Sequence, residues 1–312
     1  MNATGERVAL AAFFTGAILA GGNGVGVRFS NRELAPLWGA GFRFALAAAL
    51  LLAVMAALKL AVPRGQALAG AVVFGALNFG GAFALAYYAL VRMHAGFGQL
   101  VLALVPLATL LLAVLQRQER LRIGALGGAL IALAGIAVMS REALRGSVPL
   151  LSLLAAVGSA LCFAQATVVV RRFPPIHPVT LNAVGMATGA LLLVIGSILA
   201  GEPVELPERA ATWVAIGYLV VVGSALVFVL YVVVLRYWTA SRAAYTFVVI
   251  PVITLLLSAW LDDEPIGMGL VLGGTLVLTG VYVGALRRAP SSAPPPTRAD
   301  EAKSLQSRRR EA

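Results

Sequence analysis

The sequence predicts an all-α integral membrane protein with ten transmembrane helices, arranged as two inverted repeats of five helices each. One observation is composition: 60% of the 312 residues are hydrophobic and only 12% are charged, whereas a soluble domain has roughly 25% charged residues. The other is a repeat, since "PLATLLLAV" at 106–114 returns as "PVITLLLSA" at 251–259. The chain therefore uses lipid as its solvent and contains a duplicated unit.

The duplication is supported by a constant spacing in residue number over a longer stretch, the spacing that separates Pro106 from Pro251. Proline and glutamate are scarce inside apolar sequence, so a register that keeps both indicates a true repeat. The aligned pairs are Pro106 and Pro251, Thr109 and Thr254, Glu119 and Glu264, Gly128 and Gly273, and Gly135 and Gly280.

Ten apolar segments come close to the roughly 20 residues that cross a bilayer. Numbered span 1 to span 10, they cover 8–27, 35–57, 67–91, 95–115, 121–139, 149–170, 178–200, 211–235, 240–260 and 266–286. Residues 1–140 form the first predicted repeat and residues 149–288 the second. Residues 289–312 contain almost no large apolar side chain, so they are predicted to be a disordered cytoplasmic tail.

Lysine and arginine in the connections predict the orientation. With the N-terminus inside, twelve basic residues of the connections lie on the inner side and six on the outer side. Both termini are therefore expected in the cytoplasm. Because five spans separate the two proline segments, the second copy enters the membrane from the opposite face. Inverted repeats give a bundle two nearly equivalent packings, one open to each side, which is the physical basis of alternating access.

Two prolines, Pro106 and Pro251, lie near the middle of spans 4 and 9. Proline lacks an N–H and clashes with the carbonyl four residues earlier, so it kinks a helix. One interpretation is a kink that the membrane tolerates. The other is a matched pair of kinks that shapes a central cavity and eases its opening, and the pairing favours this second interpretation.

Polar side chains inside the spans are the candidates for substrate binding. Pro36 and Pro178 stand at the starts of spans 2 and 7, and the spacing between them also aligns Asn23 with Gln165. A neutral amide that faces lipid is costly, so we expect both amides to face the bundle interior. There they either join neighbouring helices by hydrogen bonds or contact substrate. The further candidates of this kind are Asn78, Gln99, Tyr245 and Thr246.

Arg43 is the one basic residue that we place well inside a predicted span. At the centre of a transmembrane helix an arginine costs at least about 2.5–3.5 kcal/mol. Arg43 lies roughly 10 Å from the outer end of span 2 at 1.5 Å per residue, so its long side chain could nearly reach water. It is either an anchor of this kind or a counter-charge for a carboxylate or phosphate in a cavity.

Several functions are disfavoured by what the sequence lacks. All 13 acidic residues fall at helix ends, in loops or in the tails, which argues against an intramembrane carboxylate that carries protons. The two histidines, His94 and His177, lack metal-ligand spacing, and there is no phosphate-binding loop. Neither a catalytic constellation nor a metal or cofactor is predicted. The basic residues are spread over short loops instead of one patch, which argues against nucleic acid.

The sequence resembles the EamA-type branch of the drug/metabolite transporter superfamily, whose members have ten spans formed by two five-helix repeats. The fourth and fifth helices of such a repeat resemble "VPLATLLLAVLQRQERLRIGALGG" and, in the second half, "IPVITLLLSAWLDDEPIGMGLVLGG". The family's second helix resembles "PLWGAGFRFALAAALLL", which includes Arg43. The resemblance implies a bacterial inner-membrane carrier of metabolites, often an exporter of amino acids or related compounds, with a cavity lined mainly by spans 1–4 and 6–9.

These observations together lead to the hypothesis of a secondary transporter that moves a small organic metabolite outward across the inner membrane. Its expected partners are the substrate and the lipid bilayer, and a homodimer is one option for its assembly. A membrane-embedded enzyme is the first rival, and it would need clustered acids, histidines or a nucleophile. A non-transporting membrane scaffold is the second, and inverted repeats have no obvious use in a scaffold.

Overall fold

The computed structural model describes residues 3–92, 102, 104–139, 149–250, 253 and 268–286. Throughout these ranges the regular structure is helical, with no β-strand, and helix lies within each of the ten predicted spans. Two predicted site residues, Gln99 and Pro251, and the predicted tail at 289–312 fall outside the described ranges. The helices that are individually long and apolar enough to cross a membrane are Pro36–Ala57, Gly65–Ala89, Leu150–Arg172, Pro178–Leu199 and Ala210–Tyr237.

The described helices of the first repeat lie on the predicted spans, and span 4 is described at residue 102 and from residue 104 onward. Span 1 is divided at Gly22 into two helices, and span 3 is continuous but changes to π-helix over Ala76–Gly81. Pro36 occupies the first turn of span 2, where the missing N–H has no helical partner to lose. In order, the helices are Ala3–Gly21, Asn23–Ser30, Pro36–Ala57, Gly65–Gly75, Ala82–Arg92, Val105–Leu115 and Ile123–Met139.

The second repeat has the same plan. Pro178 begins span 7 as Pro36 begins span 2, and span 8 changes to π-helix over Val221–Leu226. In order, the helices are Leu150–Val169, Pro178–Leu199, Ala210–Val220, Val227–Tyr237, Ala240–Ala243, Met268–Val281 and the π-helical turn Tyr282–Leu286. In span 9 a turn at 244–245 follows Ala240–Ala243, and helix then resumes and reaches Ile250.

The inversion of the repeats is visible where span 5 meets its counterpart, span 10. A Cβ atom on Gly128 would lie 2.6 Å from the Gly280 carbonyl oxygen, and one on Gly135 would lie 2.7 Å from the Gly273 carbonyl oxygen. Gly128 aligns with Gly273 and Gly280 aligns with Gly135 in the repeat. The contact between Gly128 and Gly280 is therefore equivalent to the contact between Gly273 and Gly135. Residue numbers rise along one helix while they fall along the other, so equivalent helices run antiparallel. Two units related in this way have opposite orientations in the membrane.

Spans 2 and 7 are also packed antiparallel to each other, and their helices end in the same way. Each helix is closed by a residue with a left-handed backbone, Lys59 with φ 50° and Gly201 with φ 69°. The spacing that aligns Pro36 with Pro178 aligns these two residues as well. The next N–H, that of Leu60 or of Glu202, donates to the carbonyl five residues earlier in both cases. This is the Schellman pattern that satisfies the last carbonyls of a helix.

Contacts between loops join the two repeats at both ends of the bundle. We call the end that carries residues 31–35 and 201–209 the outer end, following the predicted orientation. There the Glu202 carboxylate accepts hydrogen bonds from the Leu37 and Trp38 N–H groups at 3.2 and 2.9 Å. At the opposite, inner end, Arg242 forms an ion pair with Glu6 at 2.6 Å, and the Ser241 N–H donates to the Glu119 carboxylate at 3.1 Å.

Candidate functional site

Two π-helical segments lie at matching places in the two repeats. The spacing that relates Pro106 to Pro251 also carries Ala76–Gly81 in span 3 onto Val221–Leu226 in span 8. A π-helical turn loosens the regular backbone ladder and leaves carbonyl groups open to other donors, and such turns are frequent at functional sites. Among the predicted site residues, Asn78 lies on the first segment, and Arg43 and Asn23 both contact the second.

Arg43 extends from span 2 to the π segment of span 8. Its side chain is almost fully buried, with 2% of the residue surface exposed. The guanidinium Nε donates to Ser224 Oγ at 2.7 Å and Nη2 donates to the Gly223 carbonyl at 3.0 Å. The arginine therefore does not extend to the membrane surface, and the interpretation of Arg43 as a snorkelling anchor loses its basis.

Asn23 meets the same carbonyl from span 1. Its Nδ2 donates to the Gly223 carbonyl at 3.2 Å, while its Oδ1 is buried without a hydrogen-bond partner. A Cβ atom at position 223 would collide with Oδ1 of Asn23, so a larger residue there would displace the Asn23 side chain. Gly223 thus brings two predicted site residues, from different helices of the first repeat, onto one atom of the second repeat.

Aromatic rings surround the Arg43 guanidinium. Its central carbon lies 5.1 Å from the Phe44 ring centroid and 5.7 Å from that of Phe83, distances at which a cation is attracted to a ring face. Ion pairs among the described residues join Arg209 to Glu33 and Arg242 to Glu6, and none of them involves Arg43. The cluster therefore has a net positive charge.

Asn78 lies on the other π segment, in span 3, and is completely buried. Neither its Nδ2 nor its Oδ1 has a hydrogen-bond partner. Burying an amide without partners costs about 1–3 kcal/mol for each unsatisfied group. A polar ligand that hydrogen-bonds to this amide would remove the cost, which makes Asn78 the least satisfied of the predicted site residues that the structure describes.

The other described candidates are bonded to protein groups. Gln165 accepts a hydrogen bond from Gln116 at 2.8 Å, near the inner end of span 4. The Tyr245 hydroxyl donates to the Ala125 carbonyl at 2.7 Å, between spans 5 and 9. Thr246 donates to the Ala243 carbonyl of its own helix at 2.9 Å. The structure therefore does not bring these three side chains together with Arg43 and Asn23.

Pro106 lies in the first turn of the helix Val105–Leu115. Leu102 is helical and Leu104 has a turn conformation, so the regular α-helix that contains Pro106 begins at Val105. Its predicted counterpart Pro251 lies outside the described residues. The paired-kink hypothesis stays a prediction.

Three features of the site escaped the sequence-based reasoning, namely the two π segments and the Ser224 hydroxyl. A serine among aliphatic residues gives no signal in a helix that is apolar on every face. Gly223 offered the best available clue, since the spacing between Pro106 and Pro251 also aligns it with Asn78, a residue already selected.

Comparison with known sequences gives three findings. A family model described as the EamA-like transporter family matches residues 7–141 and again 150–285. The chain is 27% identical over 266 residues to the uncharacterized transporter YyaM of Bacillus subtilis (strain 168), covering 81% of this chain and 86% of that relative. It is also 27% identical over 241 residues to the uncharacterized inner membrane transporter YedA of Escherichia coli (strain K12), covering 76% of this chain and 78% of that one.

A solved crystal structure shares the fold. It superposes with a TM-score of 0.77 at 22% sequence identity, covering 89% of this chain and 96% of that one. The antiparallel pairing of equivalent helices agrees with the two separate matches of one family model, which together cover most of the sequence. This integral membrane chain, with its two inverted five-helix units, therefore belongs to the EamA-like transporter family and is a transporter, not an enzyme.

Proposed function

We propose that this transporter moves a small organic metabolite, an amino acid or a related compound, outward across the cytoplasmic membrane by alternating access. The inverted repeats support the mechanism, because exchanging the conformations of the two repeats converts a bundle open on one side into one open on the other. The resemblance of the sequence to metabolite exporters supports the substrate class and the direction.

The observation that carries the proposal is the buried guanidinium of Arg43, which has no acidic partner within the described ranges. An isolated buried charge is costly, and proteins offset this cost with a partner or a function. A carboxylate is the planar anion that a guanidinium fork binds with two parallel hydrogen bonds. The site thus suits the carboxylate that every free amino acid carries.

Two amides would complete the binding site. Asn23 Oδ1 is an unpaired acceptor beside the Arg43 contact with Gly223, and Asn78 presents both an unpaired donor and an unpaired acceptor. An ammonium or hydroxyl group of the substrate would use the acceptors. In our proposal Arg43, Asn23 and Asn78 bind substrate, while Gln165, Tyr245 and Thr246 hold helices together.

The proposed orientation places both termini in the cytoplasm. The excess of lysine and arginine in the connections at the inner end supports it. The name of the relative YedA, an inner membrane transporter, supports the proposed location in the inner membrane.

Counterflow in proteoliposomes tests the function. Vesicles loaded with one unlabelled compound should accumulate the same radiolabelled compound transiently, and a panel should include amino acids, their carboxylate-lacking amines and sugars. We expect counterflow for at least one carboxylate compound and none for its amine analogue. Absence of counterflow across the whole panel, with folded protein in the vesicles, would favour the non-transporting scaffold.

A further inference from the structure

A cavity of about 290 Å³ opens at the inner end of the bundle, away from Arg43. It lies between the first turns of span 3, the connection from span 6 to span 7, and the last turns of span 8, so both repeats contribute to it. Its lining is mostly apolar, and the two charged lining residues are Arg171 and Arg236.

Both arginines are held by backbone carbonyls and not by carboxylates. Arg171 Nη1 donates to the carbonyls of Leu235 and Trp238 at 3.1 and 2.6 Å. Arg236 Nη2 donates to the Ile176 carbonyl at 2.8 Å. A carbonyl fixes a guanidinium in place without neutralising its charge. The lining includes no acidic side chain, and no ion pair between described residues involves either arginine. Within that part of the chain the two positive charges of the cavity are therefore uncompensated.

The outer end of the bundle contains the region that the repeat symmetry relates to this cavity. The repeat spacings place Glu33 at the position equivalent to Pro175 of the cavity, and Thr212 at the position equivalent to Ala67. Glu33 pairs with Arg209 at 3.1 Å and accepts hydrogen bonds from the Glu208 and Arg209 N–H groups at 3.0 and 3.3 Å. At the outer end, the residue equivalent to Pro175 is thus held by an ion pair and hydrogen bonds, whereas Pro175 lines a cavity at the inner end.

We propose that this cavity is the inner vestibule of the transport path and that it binds the carboxylate or phosphate group of an anionic substrate through Arg171 and Arg236. This inference rests on the proposed function and deepens it, because it assigns the first contact on the inner side to an anion. The apolar walls then receive the rest of the molecule. A soluble anion is favoured over a lipid headgroup because residues of both repeats line the cavity, and transport paths run along the interface of the repeats.

The test measures the charge preference of the cavity directly. Ala67 lines the cavity, so an Ala67→Cys variant, with Cys162→Ser to remove the native thiol, places one reactive group there. The probes are two methanethiosulfonates of similar size, one carrying a sulfonate and the other a trimethylammonium. At about 7 Å in water each guanidinium raises the local concentration of a monovalent anion about threefold and lowers that of a cation equally.

A neighbouring arginine supplies the matched control. Arg172 is exposed, donates to the Gln116 carbonyl at 3.2 Å and does not line the cavity. We expect the sulfonate reagent to react faster than the ammonium reagent, Arg171→Gln and Arg236→Gln each to lower that ratio severalfold, and Arg172→Gln to leave it unchanged. Inorganic phosphate at millimolar concentration should slow the reaction unless both cavity arginines are replaced.

Equal rates for the two reagents, or an equal effect of Arg172→Gln, would overturn the proposal. So would labelling that is blocked in phosphatidylglycerol nanodiscs but not in phosphatidylcholine nanodiscs, since that result assigns the cavity to a lipid headgroup. The labelling ratio does not depend on transport. If the protein showed the expected labelling ratio but no counterflow, the anion site would stand and the proposed function would fail. If it showed counterflow but equal labelling rates, the proposed function would stand and the anion site would fail.

Discussion

Replacing Arg43 by methionine should leave the fold nearly intact while it removes transport. The guanidinium makes two hydrogen bonds, to Ser224 Oγ and to the Gly223 carbonyl, and bonds to a charged group contribute about 1.5–3 kcal/mol each. Their loss therefore costs about 3–6 kcal/mol. Methionine is of similar length and avoids the desolvation penalty of a buried charge, which is itself several kcal/mol.

The two contributions offset each other, so we expect the melting temperature of Arg43→Met to stay within about 5 °C of the wild type. The Gly223 carbonyl keeps its hydrogen bond from Asn23. For substrate binding, nothing replaces the lost interaction between the guanidinium and the substrate anion. Removing one partner of a buried charged pair costs about 2–5 kcal/mol, which corresponds to a loss of transport efficiency of about 30- to 4,000-fold.

The assay combines thermal unfolding in detergent with initial counterflow rates in proteoliposomes. Arg43→Lys keeps the charge but loses the planar fork, so its transport should fall between those of the wild type and Arg43→Met. Arg172→Met, at an exposed position of the inner end, serves as the control. If Arg43→Met lowered the melting temperature far beyond the expected range while its folded fraction transported normally, Arg43 would be a structural residue and the assignment would fail.

Three further predictions concern the frame around the site. Gly128→Ala should destabilise the protein by about 1–3 kcal/mol, because the added Cβ would lie 2.5 Å from the Gly284 Cα. Gly127→Ala should not destabilise it, because nothing lies within 4 Å of a Cβ at that position. Urea unfolding of both variants checks this prediction. Lys59→Gly should raise the melting temperature, because the left-handed backbone at φ 50° costs a residue with a side chain about 1–2 kcal/mol. Burial acts to raise the pKa of the Glu33 carboxyl, but hydrogen bonds from the Arg209 and Glu208 N–H groups outweigh it and hold the pKa below its ordinary value. The stabilisation from Glu33 is therefore present above the ordinary carboxyl pKa and is lost as the pH falls through the lowered pKa. The melting temperature of Glu33→Gln should consequently change less than that of the wild type over this acidic range. The same dependence of melting temperature on pH in both proteins would contradict the prediction.

The fold was predictable because the features that define it are rare in apolar sequence. Pro36 and Pro178 mark the starts of equivalent helices, and the structure places each in the first turn of its span. The glycines at 128, 135, 273 and 280 were aligned by spacing alone, and they form the antiparallel crossing that demonstrates the inversion.

The site was only partly predictable because a lipid-exposed helix is apolar on its outside as well as its inside. Arg43 could be selected, since a charge within a span is costly anywhere. Its partner Ser224 could not, because pairing depends on the rotation of span 8 and on the π segment that opens the Gly223 carbonyl. Tyr245 and Gln165 were selected by polarity, and the structure shows both bonded to protein groups.

The central claim is that the two ends of this bundle open in alternation. It is tested most directly by linking the outer end in the closed state, with cysteines replacing Glu33 and Arg209 in a Cys162→Ser background, joined by a short thiol-cleavable crosslinker. Our account predicts that the crosslink stops counterflow, that the inner cavity still reacts at a cysteine introduced at position 67, and that cleavage restores transport. Counterflow at the full rate while the outer end remains linked would contradict it.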